Sequence, residues 1–250
     1  MAQLILSLFF IILFILFTSS AYGYTSQPSI FTSDSNPHGI LYSEWVEKWW
    51  SWWLGIPNDK HIVQKNNDGN LIYLQERCSV NQNGSVWFLP DVLQELPGSH
   101  LEYSCEIPAG KDILIPITTT ECDVGSEGGT ENDLKVCANN IRDVDDPREP
   151  TRITINVDGN PIDPKNLKGQ TGFFDVTIPE NPPNIFGDIK YKNERKETYR
   201  AMASGYFLFL KPLTAGKKYK ITFECEDHFL EFTALPISTR TGIFNITINK

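Results

Sequence analysis

The chain has 250 residues, with 22 Lys plus Arg, 31 Asp plus Glu and a formal net charge of −9. Hydrophobic residues make up 40% of it, which is enough apolar surface to offset the chain entropy lost on folding and excludes a wholly disordered chain. The acidic balance argues against a nucleic-acid partner, because neutralising phosphates requires clustered Lys and Arg.

The first residues predict export. Leu4–Phe17 is apolar except for Ser7 and is shorter than the about 20 residues that a transmembrane helix needs. The run is typical of the core of a signal peptide, and Ala21-Tyr22-Gly23 places small residues for cleavage before Tyr24. We therefore predict a signal peptide over 1–23 and a location outside the cell or in its envelope. Because no Lys or Arg precedes the run, an uncleaved anchor is the alternative, and only then is a membrane partner expected.

The segment 24–40 is polar and Ser-rich and is predicted to be a flexible lead-in to a single domain over 41–250. A helix is predicted over Leu41–Leu54, ending before Pro57. It carries five of the six tryptophans.

The tryptophan helix has an unusually wide apolar face. At 100° per residue its apolar side chains fill an arc of about 180°, wider than the about 100° stripe of a helix that only faces a core. Burial in the domain is the simpler interpretation. The alternative is that some tryptophans also contact a ligand, a partner subunit or a membrane. The candidate binding residues are Trp45, Trp49, Trp50, Trp52 and Trp53.

The remainder of the chain predicts strands. Residues 101, 103, 105 and 107 are apolar and alternate with polar neighbours, as in a half-buried strand. With Gly- and Pro-rich turns between the runs, we expect an all-β fold, a β-sandwich or jelly roll, with the Trp-rich N-terminal helix and one further short helix. The predicted strands are Leu71–Gln75, Val86–Leu89, Leu101–Ile107, Ile113–Thr118, Arg152–Val157, Phe173–Ile178, Tyr206–Leu210, Tyr219–Cys225 and Ile243–Ile248.

The second helix is predicted between Glu131 and Asp143, after a capping box formed by Thr130 and Asp133. It lies in an acidic segment, Glu121–Pro150, with nine acids and three bases. A solvated face is the simpler interpretation, and a Ca²⁺ site is the alternative. Its ligands would be Asp143, Asp145 and Asp146. The basic stretch Lys190–Arg200 is a candidate electrostatic partner for this segment.

Three polar residues follow one another on one face of the strand near residue 225. Glu224, Glu226 and His228 share that face at a period of two, and two carboxylates with an imidazole are able to bind a divalent metal or act as acid and base. An exposed strand face is the simpler interpretation.

All five cysteines follow the predicted signal peptide, so export favours disulfides. We predict the pairs Cys78–Cys105 and Cys122–Cys137, which leaves Cys225 outside both, although sequence alone does not fix the connectivity. Glycosylation sequons begin at Asn83 and Asn245.

Several motifs together resemble those of a family of exported bacterial and archaeal proteins that have a Trp-rich N-terminal helix and a CxxPAGK-type turn. The resemblance covers most of the chain after residue 23. It implies export and a single domain, and it implies no activity. The motifs are Trp49-Trp50-Ser51-Trp52, Ile56-Pro57, Val86-Trp87-Phe88-Leu89, Cys105-Glu106-Ile107-Pro108-Ala109-Gly110-Lys111, Ile115-Pro116-Ile117, Gly205-Tyr206-Phe207-Leu208 and Leu213-Thr214-Ala215-Gly216.

No nucleophile elbow, P-loop or HExxH motif is present in the sequence. We therefore expect a secreted, non-catalytic binding or structural module whose partner is an extracellular glycan or protein, without a cofactor. The alternatives are a metal-dependent hydrolase that uses Glu224, Glu226 and His228, with Ca²⁺ or another divalent metal, and a membrane-anchored accessory subunit.

Overall fold

The computed structural model describes residues 27–68, 70–93, 99–125, 129–147, 150–179, 197–227 and 238–250. The predicted signal peptide, and with it the question of its cleavage, lies outside the described residues. No helix in these ranges is both long and apolar enough to span a membrane.

The described chain folds into two packed β-sheets with two α-helices, so the predicted all-β, sandwich-like class is confirmed. The helices are α1 (Tyr42–Leu54) and α2 (Glu131–Ala138). The strands are β1 (Ile30–Phe31), β2 (Val63–Lys65), β3 (Leu71–Tyr73), β4 (Val86–Phe88), β5 (Ser99–Ile107), β6 (Asp112–Asp123), β7 (Arg152–Val157), β8 (Asn160–Ile162), β9 (Lys168–Gln170), β10 (Phe174–Ile178), β11 (Glu197–Leu210), β12 (Lys218–Asp227) and β13 (Ser238–Ile248).

The first sheet has the order β1-β11-β6-β4, and β9 and β10 also pair with the long strand β11. Its pairs are antiparallel except β4 with β6. The second sheet has the order β5-β13-β12-β7-β8, with β5 parallel to β13 and the other pairs antiparallel. A separate hairpin pairs β2 with β3.

A bulge interrupts the pairing of β11 with β6. Tyr206 pairs with Thr118, and the next residue, Phe207, pairs with Pro116, so Ile117 is the extra residue. Proline has no N–H to donate to the ladder, which is why prolines inside sheets occur at bulges and edges. The bulge lets β6 keep Pro116 while it pairs on both sides.

The sequence predicts a flexible lead-in over 24–40, but its described part belongs to the fold. Ile30 and Phe31 pair with the end of β11 as an edge strand, and the Phe31 ring packs against Phe209 at 4.9 Å. Further along, His38 contacts the buried Asp112 carboxylate at 2.5 Å. These contacts anchor the segment directly before α1.

The second helix begins as predicted and ends earlier. The Thr130 hydroxyl accepts a hydrogen bond from the Asp133 N–H, and the Asp133 carboxylate accepts one from the Thr130 N–H, so the predicted capping box is present. The helix ends at Ala138, not near Asp143, since Asn139 is already outside the helical conformation, and the Ser204 hydroxyl on β11 donates a hydrogen bond to the Ala138 carbonyl at this end. Beyond that residue, the Arg142 side chain is buried and pairs with Asp146.

Both predicted disulfides, Cys78–Cys105 and Cys122–Cys137, are present. The first joins a short 3-10 turn to β5, and the second joins the end of β6 to α2. Cys225 lies buried on the inward face of β12, outside both bonds. Two disulfides indicate an oxidising compartment.

His61 is fully buried as a neutral imidazole. Its Nδ1 accepts a hydrogen bond from the Val63 N–H at 3.1 Å, and its Nε2 donates to the Trp53 carbonyl at 3.2 Å. Burial lowers the pKa of His61 to about 4 from an ordinary value of 6.5. Protonation would turn the Nδ1 acceptor into a donor that faces another donor.

We therefore expect His61 to make stability depend on pH. Its lowered pKa means that the unfolded chain binds a proton below pH 6.5 before the folded chain does, so stability is present above that pH and is lost as pH falls towards 4. We expect His61 to lower the free energy of unfolding by about 3 kcal/mol when the pH falls from 7 to 4. Urea unfolding at both pH values checks it, with His61→Phe as the reference. The variant should lose about 3 kcal/mol less than the natural chain over this interval, and equal losses would contradict the assignment.

Candidate functional site

All five helix tryptophans are buried, with no more than 8% of any one exposed. Three of their indole N–H groups donate to backbone carbonyls of separate segments: Trp45 to Pro37, Trp49 to Leu89 and Trp52 to Val80, at 2.9–3.0 Å. The wide apolar arc of α1 thus has a structural cause, because the helix is covered by protein on several sides.

The first sheet covers another side of the helix. The Trp49 ring meets the Phe207 ring at 5.6 Å, and the Trp45 ring meets Phe209 at 6.0 Å, both on β11. The Tyr42 hydroxyl donates to the Phe207 carbonyl at 2.6 Å. Helix and sheet are therefore joined by hydrogen bonds as well as by ring packing.

Two of the five tryptophans also line an open groove along α1, which we call the α1 groove. Its volume is about 930 Å³, within the range of about 300–1,000 Å³ that is typical of small-molecule sites. Its aromatic floor consists of Trp45, Trp52, Phe88 and Phe174. The Trp52 and Phe88 rings lie 5.5 Å apart, and Trp45 and Phe88 lie 6.4 Å apart, so the floor is a packed and pre-formed surface.

Polar side chains from three parts of the fold also line the α1 groove, and we call them its rim. They come from the exposed face of α1, from the turn before β4 and from β10. The rim consists of Glu47, Lys48, Ser51, Asn81, Asn83, Ser85 and Asp175. In this turn Asn81 and Gly84 both have positive φ, at 50° and 72°.

The charged groups of this rim are few. Partial burial, together with the nearby Glu44 carboxylate, raises the pKa of Glu47. The Lys48 ammonium lies 5.8 Å from the Trp45 ring centroid, in the geometry of a cation–π contact. Asp175 pairs with Arg200 at 3.4 Å.

A second groove, of about 970 Å³, lies at the Cys78–Cys105 disulfide. It is lined by acids and bases together, among them Glu106 and Lys218, and by Trp87. Trp87 is buried, and its indole N–H has no hydrogen-bond partner among the described residues. None of the five α1 tryptophans reaches this groove.

The structure places two of the three candidate residues on β12. Glu224 and Glu226 lie on its outward face, and Arg152 of β7 donates to Glu226 at 2.7 Å. His228 lies outside the described residues. Within the described ranges, no three His, Cys, Asp or Glu side chains are grouped to hold a metal ion.

The candidate Ca²⁺ ligands engage cations of the chain itself. Lys168 contacts Asp143 at 2.6 Å, and Arg142 contacts Asp146 at 3.4 Å, while Asp145 is exposed. One contact between the basic stretch and the acidic segment is present, because Arg200 lies 3.7 Å from Glu131. The rest of the basic stretch, 190–196, lies outside the described residues.

Comparison with known proteins gives no family. No known family matches the chain, and no curated protein is similar to it in sequence. Among solved structures, the chain is similar to one described as "Structure of PbICP-C in complex with falcipain-2", at 12% identity over 66% of this chain and 100% of that one, with a TM-score of 0.24. A score this low carries no argument about fold, function or partner.

The α1 groove was not predictable as a site from the sequence. Its floor and rim combine residues of α1, of the turn at 81–85 and of β10, which the fold alone brings together. The available signal was the excess width of the apolar arc of α1. Trp45 and Trp52 lie close together near one edge of that arc, and they are the two tryptophans that line the groove.

Proposed function

We propose that this protein is an exported, non-catalytic binding module whose ligand occupies the α1 groove. The observation that carries the proposal is a pre-formed aromatic floor next to polar groups that face solvent. Ligand sites combine these two features, with apolar area for affinity and a few polar groups for orientation. Export is supported by the apolar N-terminal run and by the two disulfides.

The absence of a convergent catalytic set among the described residues favours binding over catalysis. Of the two carboxylates that line the α1 groove, Asp175 is paired with Arg200, which leaves Glu47 as a single acid, and no histidine or cysteine is among the described residues of the lining. A hydrolase would need a nucleophile or a base within reach of a bound substrate.

The test is binding of the secreted protein to an array of immobilised extracellular glycans and matrix proteins. Ser51 is exposed on α1 and lines the groove, so Ser51→Trp fills the groove without touching the core. We expect this change to weaken binding at least about 10-fold, because it removes access to the aromatic floor. The N-terminal residue of the same preparation, expected to be Tyr24, tests export.

The matched control is Thr239→Trp, which adds the same indole at an exposed position on β13, a strand of the second sheet that contributes no residue to the described lining of the groove. It should bind like the natural protein. Equal binding by Ser51→Trp, or no binding to any member of the array by the folded natural protein, would overturn the proposal.

A further inference from the structure

We infer that the ligand of the α1 groove is a neutral saccharide. This inference rests on the proposed function and adds the chemical class of the ligand. It follows from three properties of the groove: the kind of aromatic surface offered, the hydrogen-bonding groups on the rim and the balance of charge.

Three of the four floor rings are buried and Phe88 is half-buried, so the floor offers a small hydrocarbon ring surface without free polar ring atoms. The indole N–H groups of Trp45 and Trp52 already donate to backbone carbonyls at 3.0 Å, and Phe88 and Phe174 have none. An aromatic ring carries negative charge on its face and attracts the weakly positive C–H groups of a partner. A pyranose ring presents such C–H groups on one side and hydroxyls around its edge.

The rim offers donors and acceptors in the mixture that hydroxyl groups need. Ser51, Asn81 and Asn83 are exposed. Their side chains form no hydrogen bond with any other described residue. Each asparagine amide supplies an acceptor and two donors, and each sugar hydroxyl both donates and accepts. The amide and hydroxyl groups of the rim are therefore able to pair with sugar hydroxyls, and because all of these groups are neutral no counter-ion is needed.

The charge of the groove disfavours anionic ligands. Among the described side chains that line the groove, Glu47 and Asp175 are acidic and Lys48 is the one basic residue, while Arg200, outside the lining, pairs with Asp175. Phosphate, sulfate and uronate groups are bound by clustered Arg and Lys, which the lining lacks. A neutral polyol has no such requirement.

The position of Asn83 adds a practical condition. It is the first residue of a glycosylation sequon and lies on the rim, so a glycan attached there would itself reach the groove. The test therefore uses protein secreted from a bacterial host that leaves Asn83 unmodified.

The experiment is titration of the secreted protein with short neutral oligosaccharides of glucose, mannose, galactose or N-acetylglucosamine, followed by tryptophan fluorescence and calorimetry. We expect saturable binding to at least one series. Asn83→Ala should weaken it about 5-fold, since one hydrogen bond is lost at a position without positive φ, and Ser51→Trp at least about 10-fold. Thr239→Trp should leave it unchanged. The affinity should stay within about 2-fold between low and high salt, because a neutral ligand is not screened.

Other outcomes separate this inference from the proposal on which it rests. If a peptide or an anionic polymer binds in a manner that Ser51→Trp abolishes, and the neutral oligosaccharides do not, then the saccharide assignment is wrong and the binding function stands. If no probe, on the array or in solution, depends on Ser51, both are wrong.

Discussion

Replacing Trp49 with alanine is expected to lower the free energy of unfolding by about 5 kcal/mol. The side chain is fully buried, stacks on Trp53 at 5.7 Å and packs against Phe207 of β11. Removing a buried tryptophan costs about 3–5 kcal/mol, and leaving the Leu89 carbonyl without its donor adds about 1–3 kcal/mol. Because single domains are stable by only about 5–15 kcal/mol, this one change should leave the fold marginal.

Two further substitutions separate the parts of this effect in urea unfolding. Trp49→Phe keeps an aromatic ring in place and loses the N–H donor, so it should cost about half as much as alanine. Ser51→Ala, on the exposed face of the same helix, should change stability by less than about 0.5 kcal/mol. A loss below about 2 kcal/mol for Trp49→Ala would mean that the helix is not part of the cooperative core.

Removing both disulfides is expected to destabilise the chain by about 6–7 kcal/mol. Cys78 and Cys105 are 27 residues apart, and Cys122 and Cys137 are 15 apart. On the chain-entropy account, closing loops of these lengths contributes about 3.5 and about 3 kcal/mol. The bonds join different parts of the fold, so we expect the two losses to add.

Thermal unfolding measures the loss of stability in three variants: one in which both cysteines of the first disulfide are replaced by alanine, one in which those of the second are replaced, and one that combines them. Cys225→Ala is the control for loss of a buried sulfur, because Cys225 lies outside both bonds and the disulfides remain. A thiol reductant should lower the melting temperature of the natural protein and leave that of the combined variant unchanged. A melting temperature that the reductant leaves unaltered in the natural protein would contradict the assigned contribution.

Local features of the fold were predictable because they depend on residues near one another in the chain. The period of the apolar residues located α1 to within one residue, and alternation identified the buried set Leu101, Tyr103, Cys105 and Ile107 of β5. The Thr130–Asp133 capping box marked the start of α2. In each case a few neighbouring residues determine the local geometry.

Features that depend on distant partners were not predictable. The two-residue strand β1 has too few residues to show alternation and exists only because β11 is beside it. The carbonyl of the last residue of α2 accepts a hydrogen bond from the Ser204 hydroxyl, which is 66 residues away in the sequence. The parallel pairing of β5 with β13 is not visible in the sequence of either strand. Each strand would have the same alternation of apolar and polar residues next to a different neighbour.

The contacts of α1 also determine when it is able to fold during synthesis. The carbonyl that Trp49 binds lies 40 residues after it, and the one that Tyr42 binds lies 165 residues after it. At about 5–20 residues per second, a ribosome needs roughly 8–33 s to make that longer stretch. Throughout this interval Trp45 and Trp49 lack the Phe209 and Phe207 rings of β11 that cover them in the folded protein, so their indoles are a target for holdase chaperones. The helix that anchors the finished core is thus among the first segments to be made and among the last to be shielded from water.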